Sequence, residues 1–526
     1  MRQTELDFVG TDTLASVWAF QVEHTPDAPF LVFEQAPDDV QTLTYRQMDD
    51  RAERAAQVLR ANGVGIGDRF VIHLANCVEF YDLWLGAAKS GAVMVPTNPL
   101  SSADEMAYVF EHSGGRFTVT SPDLVDVVRA AQKQLPDGGE SSRVLITGGG
   151  VPPGECYDTA LAAAPDAPVQ AAQDPSAVVG VLYTSGTTSR PKGVLVTNAN
   201  YLYAGRYTAE YLRLRPEDRQ LVVLPLFHGN AQYYSTMSAL VTGASVALAP
   251  RFTASRWSEQ ATKLGATAAS LFAAPIRMIL RARASEYDRA HRIRVALFAQ
   301  NVNDDQAVEF ERRFELRLTQ LWGMTETIVP TVINPLHGQR RHNTIGRPGV
   351  GIRIRIVGED GADVAPGEVG ELLVGGVPGR TLMLGYLDNP AATAEALADG
   401  WLRSGDNVRA DADGYLHFVD RGKDVIKRAG ENVASGEVER VINEHPAVFE
   451  SAAIGVPDEM RDEAIKMFVV LHENAGATEE ELIVWAAARL AKFKVPSHVE
   501  FIETLPRTSV GKVQKHVLRK RENPGS

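Results

Sequence analysis

The sequence predicts an α/β fold: a large N-terminal domain of parallel-sheet layers, followed by a small, mobile α+β C-terminal domain. Three observations carry this. Residues 70–74, 78–90 and 92–96 read in turn as strand, helix and strand, and that spacing makes a parallel βαβ unit. The 526 residues exceed what one hydrophobic core usually supports, so at least two domains are expected. Beyond Asp424 the apolar runs shorten and charge becomes denser, which sets off a final domain of about 100 residues.

Taken in order, Thr44-Tyr45-Arg46-Gln47 has capping-box spacing, and Ala52, Ala55, Ala56 and Leu59 then share one helical face until Asn62-Gly63 stops the helix. The helix over 78–90 is ended by Gly91. Between 134 and 172, Pro, Gly and Ala are frequent, as in Pro136-Asp137-Gly138-Gly139 and Gly148-Gly149-Gly150, and the segment reads as a surface connection. The β-branched run 177–182 follows as a buried strand, and 221–224 and 245–248 open a second α/β layer. In the last domain a helix through Glu437, Val438, Val441 and Ile442, with apolar stretches at 452–456 and 467–471, implies a small sheet with helices.

Composition narrows the function. With 53 basic and 66 acidic side chains the net charge is −13, which argues against nucleic acid or an anionic membrane as the main partner. Cys77 and Cys156 alone cannot make a disulfide framework and suit a reducing cytosol. The first residues hold no apolar signal core, and no run approaches the ~20 apolar residues of a membrane span. A soluble cytoplasmic protein is expected.

The chemistry concentrates in a few strings. After the strand at 177–182 comes Tyr183-Thr184-Ser185-Gly186-Thr187-Thr188-Ser189-Arg190-Pro191-Lys192-Gly193-Val194. Hydroxyls, a flexible backbone and one cation are what a polyphosphate needs. No Gly-Lys-Ser/Thr closes the loop and no long amphipathic helix starts at Lys192, so it is not the ordinary nucleotide P-loop. Four more strings follow: Leu321-Trp322-Gly323-Met324-Thr325-Glu326-Thr327, then Gly400-Trp401-Leu402-Arg403-Ser404-Gly405-Asp406, then 414–424 with Asp420-Arg421, and finally Leu505-Pro506-Arg507-Thr508-Ser509-Val510-Gly511-Lys512-Val513. Singly, each reads as a turn or a solvated charge.

Together and in this order they resemble the adenylate-forming (acyl-CoA synthetase, AMP-binding) superfamily over residues 14–515. Residues 184–193, 323–329 and 491–497 are most similar to the carnitine/crotonobetaine-CoA ligase-like subgroup. The resemblance implies ATP, Mg²⁺ and CoA. Thr184, Ser185, Gly186, Thr187, Thr188 and Lys192 would hold phosphates, and Trp322 and Gly323 would lie at adenine. Thr325 would touch the phosphate region, Glu326 would hold Mg²⁺, Asp406 the ribose hydroxyls, and Arg421 ribose and phosphate. Lys512 would be the catalytic lysine of the mobile domain, turning about a hinge at Asp420 that divides 1–420 from 421–526. Lys427, Gly430 and Glu431 would line the CoA tunnel, and His228, Tyr233, Gln300, Asn301 and Gly323 the acyl pocket.

Three departures stand out. Ser189 replaces a common glycine, Trp322 replaces a tyrosine and keeps its flat apolar face, and Phe298-Ala299-Gln300-Asn301-Val302 occupies a segment that is glycine-rich in relatives. Larger, amide-bearing side chains there argue for a small, polar or aryl acid. The faces of Tyr233, Tyr234 and Trp257 could hold a quaternary ammonium or pack an aryl ring, or could be ordinary core.

The implied reaction has two halves. The carboxylate attacks the α-phosphate of ATP, pyrophosphate leaves, and a thiol then takes the acyl group. Mg²⁺ at Glu326, Lys192, Arg421 and Lys512 would counter the developing negative charge, and no nucleophilic side chain is needed. Loading of a carrier-protein thiol and nitrite activation to diazotise an arylamine are the rival outcomes. The partners implied are a small acid, ATP and CoA, with neither nucleic acid nor a membrane span; a homodimer is allowed.

Overall fold

Strand Arg69–His73, helix Val78–Ser90 and strand Val93–Pro96 form the parallel βαβ unit that the sequence predicts, with Phe70 level with Met94 and Val71 with Val95. They belong to a computed structural model that describes residues 9–165, 167–169, 171–184, 190–421, 425–428, 431–458, 462–508, 511 and 513–522. The chain divides into two compact units, one of residues 1–184, 191–353 and 375–402, the other of 185–190, 354–374 and 403–526.

The first unit is built on two large sheets. One has seven strands, in the order Gly385–Tyr386, Lys192–Thr197, Val178–Thr184, Val93–Pro96, Arg69–His73, Phe117–Thr120 and Arg143–Ile146. The other has nine, and its centre runs parallel through Arg317–Trp322, Val295–Ala299, Ala268–Phe272, Arg219–Val222, Ser245–Leu248 and Pro29–Ala36. Their strands are near-continuous apolar runs because helices cover both faces of a parallel sheet. Asn76 ties the sheets together: its amide donates to the carbonyls of Leu224 and Ala249, and its side-chain oxygen accepts from the Leu226 N–H at 2.8 Å.

Helix Tyr45–Ala61 starts at the Thr44 capping box and buries Ala52, Ala55, Ala56 and Leu59 as the periodicity requires. It lies so close to helix Val78–Ser90 that a Cβ at Gly86 would stand 2.9 Å from the Cβ of Ala55 and from the backbone nitrogen of Ala56. Helix packing at that distance admits only glycine.

The segment 134–172 is a correction. It is not wholly a surface connection, because Arg143–Ile146 is an edge strand paired in parallel with Phe117–Thr120, and Tyr157–Ala163 is a helix. A four-residue strand flanked by glycine and proline clusters has too short a period to stand out from its surroundings.

Strand Trp401–Ala410, which belongs to the second unit from Arg403 on, pairs antiparallel with Leu416–Arg421, which sets Asp406 opposite Arg421 and Asn407 opposite Asp420. Strands Val448–Asp458 and Asp462–Leu471 pair antiparallel, and His498–Phe501 adds in parallel. Helices Ser435–Asn443 and Glu479–Ala487 close a core of Val438, Ile442, Ile465, Met467 and Leu482.

Candidate active site

Strand Val178–Thr184 and strand Lys192–Thr197 are antiparallel, with Thr184 opposite Lys192 and the Thr184 hydroxyl donating to the Lys192 carbonyl at 3.5 Å. The two ends of the hydroxyl-rich string therefore meet as a closing pair. Helix Ala103–Ser113 holds both stems: Tyr108 donates its hydroxyl to the Pro191 carbonyl, and Nδ1 of His112 is 2.8 Å from the hydroxyl of Tyr183. Ser185, Gly186, Thr187 and Thr188 lie outside the described residues.

The next strand in this sheet, Gly385–Tyr386, pairs antiparallel with Lys192–Thr197, Tyr386 standing opposite Val194. Lys192 is then the diagonal neighbour on the same face, close enough for a long side chain to reach. Its ammonium is 4.8 Å from the centre of the Tyr386 ring. The Tyr386 hydroxyl donates to Oε1 of Glu326 at 3.0 Å. Lys192 and Glu326, far apart in sequence, thus converge on a tyrosine that has no local signal in the sequence.

Glu326 sits on the loop after strand Arg317–Trp322 and is only 6% exposed. The Thr327 hydroxyl closes this loop, accepting from the Met324 N–H and donating to the Met324 carbonyl. Ile328 has φ of +67°, a region costly for a β-branched residue, and complete burial holds it there. Trp322 is buried at the strand end, and Gly323 and Thr325 are half-buried. A Cβ on Gly323 would lie 2.8 Å from the Tyr234 hydroxyl and 2.9 Å from the Val329 carbonyl.

Tyr234 and Tyr233 come from a π-helical segment, Asn230–Thr236, just after half-buried His228. Wide turns of this kind concentrate at functional sites. Tyr233 is 1% exposed and packs edge-on against Tyr201 at 5.6 Å. Its hydroxyl has no hydrogen-bond partner among the described residues, and burial, with the Tyr201, Tyr234 and Glu326 side chains adding, pushes its ionisation well up. Trp257 takes the core alternative instead: it is fully buried, edge-on to Phe314 at 5.3 Å and to His291 at 5.8 Å. Its position at the start of helix Trp257–Lys263 turns the indole into the interior.

Gln300 follows strand Val295–Ala299 with φ of +72°, a left-handed conformation that glycine adopts without cost. It is half-buried and Asn301 is exposed. The Gln320 amide donates to the Gln300 carbonyl at 2.9 Å and to the Asn301 side chain, while Arg277 donates to the Asn301 carbonyl at 2.6 Å.

In the second unit Asp406 is buried at 3% exposure, its N–H donating to the Ser404 hydroxyl, which itself donates to the Leu372 carbonyl. Lys427 stands opposite Asn432, and Glu431 opposite Arg428, in an antiparallel strand pair. Gly430 and Lys512 lie outside the described residues. Among the described residues no three His, Cys, Asp or Glu side chains gather into a metal cage. One buried carboxylate does fit Mg²⁺, which keeps its waters and takes one or two carboxylates plus substrate phosphates.

Residues 18–387 match the AMP-binding enzyme family, and 437–512 match the AMP-binding enzyme C-terminal domain. The chain belongs to the AMP-binding enzyme family. It is similar to the crotonobetaine/carnitine–CoA ligase of Proteus mirabilis, with 37% identity over 98% of this chain and 100% of the relative. The protein of that name from Salmonella arizonae is 36% identical over the same shares of each chain. The fold is also similar to a benzoate CoA ligase from Burkholderia xenovorans, with a TM-score of 0.87, 25% identity, and coverage of 97% of this chain and 100% of the other. This AMP-binding enzyme is an AMP-forming acid–CoA ligase. No helix among its described residues is long and apolar enough to cross a membrane.

Proposed function

We propose that the ligase activates a small polar acid of the betaine type, first as its adenylate and then as its CoA thioester. The observation that carries this reading is identity of 37% sustained along the whole length of a crotonobetaine/carnitine–CoA ligase. The buried Tyr233 and Tyr234 beside Gly323 and Glu326 support it, because aromatic faces in a dry site attract a quaternary ammonium.

In this reading Thr184, Ser185, Gly186, Thr187, Thr188 and Lys192 bind the phosphates, Trp322 faces adenine, and Thr325 approaches the phosphates. Asp406 accepts from both ribose hydroxyls, and Arg421 reaches ribose and phosphate. His228, Tyr233, Gln300, Asn301 and Gly323 shape the acid pocket. Mg²⁺ held at Glu326 supplies positive charge at the phosphate oxygens when bound. Lys512 neutralises charge between carboxylate and α-phosphate in the first half-reaction. Asp420 is the proposed hinge, and rotation about it withdraws Lys512 and presents Lys427, Gly430 and Glu431 to the pantetheine arm. Free Cys77 and Cys156 fit a cytoplasmic setting.

The test is acyl-CoA formation with carnitine, crotonobetaine, benzoate, dodecanoate and nitrite, with and without CoA. A betaine acid with kcat/KM at least tenfold above dodecanoate is expected. Preference for the long chain overturns the substrate, and nitrite-dependent AMP release without CoA overturns the thioester step.

A further inference from the structure

Residues 383–387 run between two parts of the site and bond to both. The Met383 N–H donates to the Glu326 carbonyl at 3.0 Å, the Leu384 N–H to the Leu195 carbonyl at 3.1 Å, and the Leu387 N–H to the Gly193 carbonyl at 2.8 Å. Tyr386 repeats the bridge with its side chain, its hydroxyl on the Glu326 carboxylate at 3.0 Å and its ring 4.8 Å from the Lys192 ammonium. Its own N–H donates to the Thr393 hydroxyl at 2.9 Å, and that hydroxyl donates to the Asn389 carbonyl at 2.9 Å, so helix Pro390–Ala396 anchors the strand. Burial, reinforced by the Glu326 charge, pushes the phenol's ionisation well up, which keeps it a donor at any physiological pH.

The two elements that this side chain bridges carry Lys192, which the proposed function assigns to the phosphates, and Glu326, which it assigns to Mg²⁺. A carboxylate on a nine-residue irregular loop can rotate. A charge-assisted bond from a fixed phenol removes that freedom, and the aromatic face attracts the ammonium from the other side.

We propose that Tyr386 is a positioning residue for the cations that meet the triphosphate: its hydroxyl orients the Glu326 carboxylate toward Mg²⁺, and its ring places the Lys192 ammonium. This rests on the site being the ATP site. Tyr386 touches no reacting atom in this account and acts through its two neighbours.

The test is calorimetric titration of ATP into the full-length protein without acid, so that nothing turns over, across a series of Mg²⁺ concentrations. Tyr386→Phe keeps the ring and loses the hydroxyl. It is expected to raise the Mg²⁺ concentration for half-maximal strengthening of ATP binding at least fivefold, while Mg²⁺-free ATP affinity stays within twofold. Tyr386→Leu, which loses both contacts, should also weaken Mg²⁺-free binding by at least threefold. In a Glu326→Gln background, which keeps an acceptor but no charge, adding Tyr386→Phe should leave the Mg²⁺ response unchanged.

A Tyr386→Phe protein with the wild-type Mg²⁺ response overturns the inference. So does equal weakening with and without Mg²⁺, which is what a merely structural role would give. Wild-type protein that binds no ATP under any Mg²⁺ concentration overturns the ATP reading itself, so the two failures are distinguishable.

Discussion

The Tyr108 hydroxyl donates to the Pro191 carbonyl at 2.8 Å, while one helical turn further on His112 meets the Tyr183 hydroxyl at 2.8 Å. One helix therefore grips the hydroxyl-rich string at Tyr183, on the strand that enters it, and at Pro191, just before the strand that leaves it. Removing the first grip with Tyr108→Phe should cost about 1 kcal/mol of stability, the net worth of one such bond. The specific effect should be on ATP: its KM should rise about fivefold with the acid KM unchanged, because the proposed acid pocket uses other elements. Steady-state kinetics with each substrate varied in turn checks this, and a parallel rise in both constants would deny the helix a role in phosphate binding.

Gly323 has no room for a side chain, since one of the atoms that a Cβ would meet is the backbone carbonyl of Val329. Gly323→Ala should destabilise the protein by about 1–3 kcal/mol through overpacking. It should also cut kcat/KM for the acid more than tenfold by displacing Tyr234. Adding Tyr234→Phe relieves only the hydroxyl contact, so it should restore part of the activity and not all of it. Full activity in the single variant would place the acid elsewhere.

Buried His73 makes stability depend on pH. Its Nδ1 is 2.8 Å from the Thr97 hydroxyl, and Nε2 has no partner among the described residues. Burial lowers its pKa from 6.5 to about 4, with Asp123 opposing. The unfolded chain therefore takes up a proton between those values and the folded chain does not, so this stability is complete above pH 6.5 and is lost as pH falls towards 4. The loss between pH 7 and pH 5 amounts to about 2 kcal/mol. Urea titrations at both pH values should show that difference shrink in His73→Gln, which keeps a donor for Thr97 and does not titrate; an unchanged slope would assign the effect to other groups.

Local signals were legible in the sequence. The Thr44 capping box, the helix at 78–90 stopped by Gly91, and the run at 177–182 all carry their period within a dozen residues, and each appears where expected, within a residue or two. Trp257 was ambiguous because an indole on a helix packs a core or a ligand with the same sequence pattern; Phe310 and Phe314, about fifty residues on, decide it. Tyr386, Tyr108 and His112 had no local signal at all, since their partners lie 60, 83 and 71 residues away. The π-helical turn at Asn230–Thr236 was invisible for a related reason. Its geometry answers to neighbours such as Gln232, whose amide bonds Leu226 and whose oxygen accepts from Tyr201, and not to a repeat along the chain.

In the proposed function one protein makes an acyl-adenylate and then resolves it with CoA, using Lys512 only in the first step. The most direct test separates the halves with Lys512→Ala, Gly430→Leu and the wild type. Acid and ATP without CoA report adenylate and pyrophosphate, and preformed acyl-adenylate with CoA reports thioester. Lys512→Ala should lose the first half by at least a hundredfold, about 2.7 kcal/mol, and keep the second, while Gly430→Leu should show the reverse. Equal loss of both halves in Lys512→Ala, or an unaffected CoA step in Gly430→Leu, would contradict it.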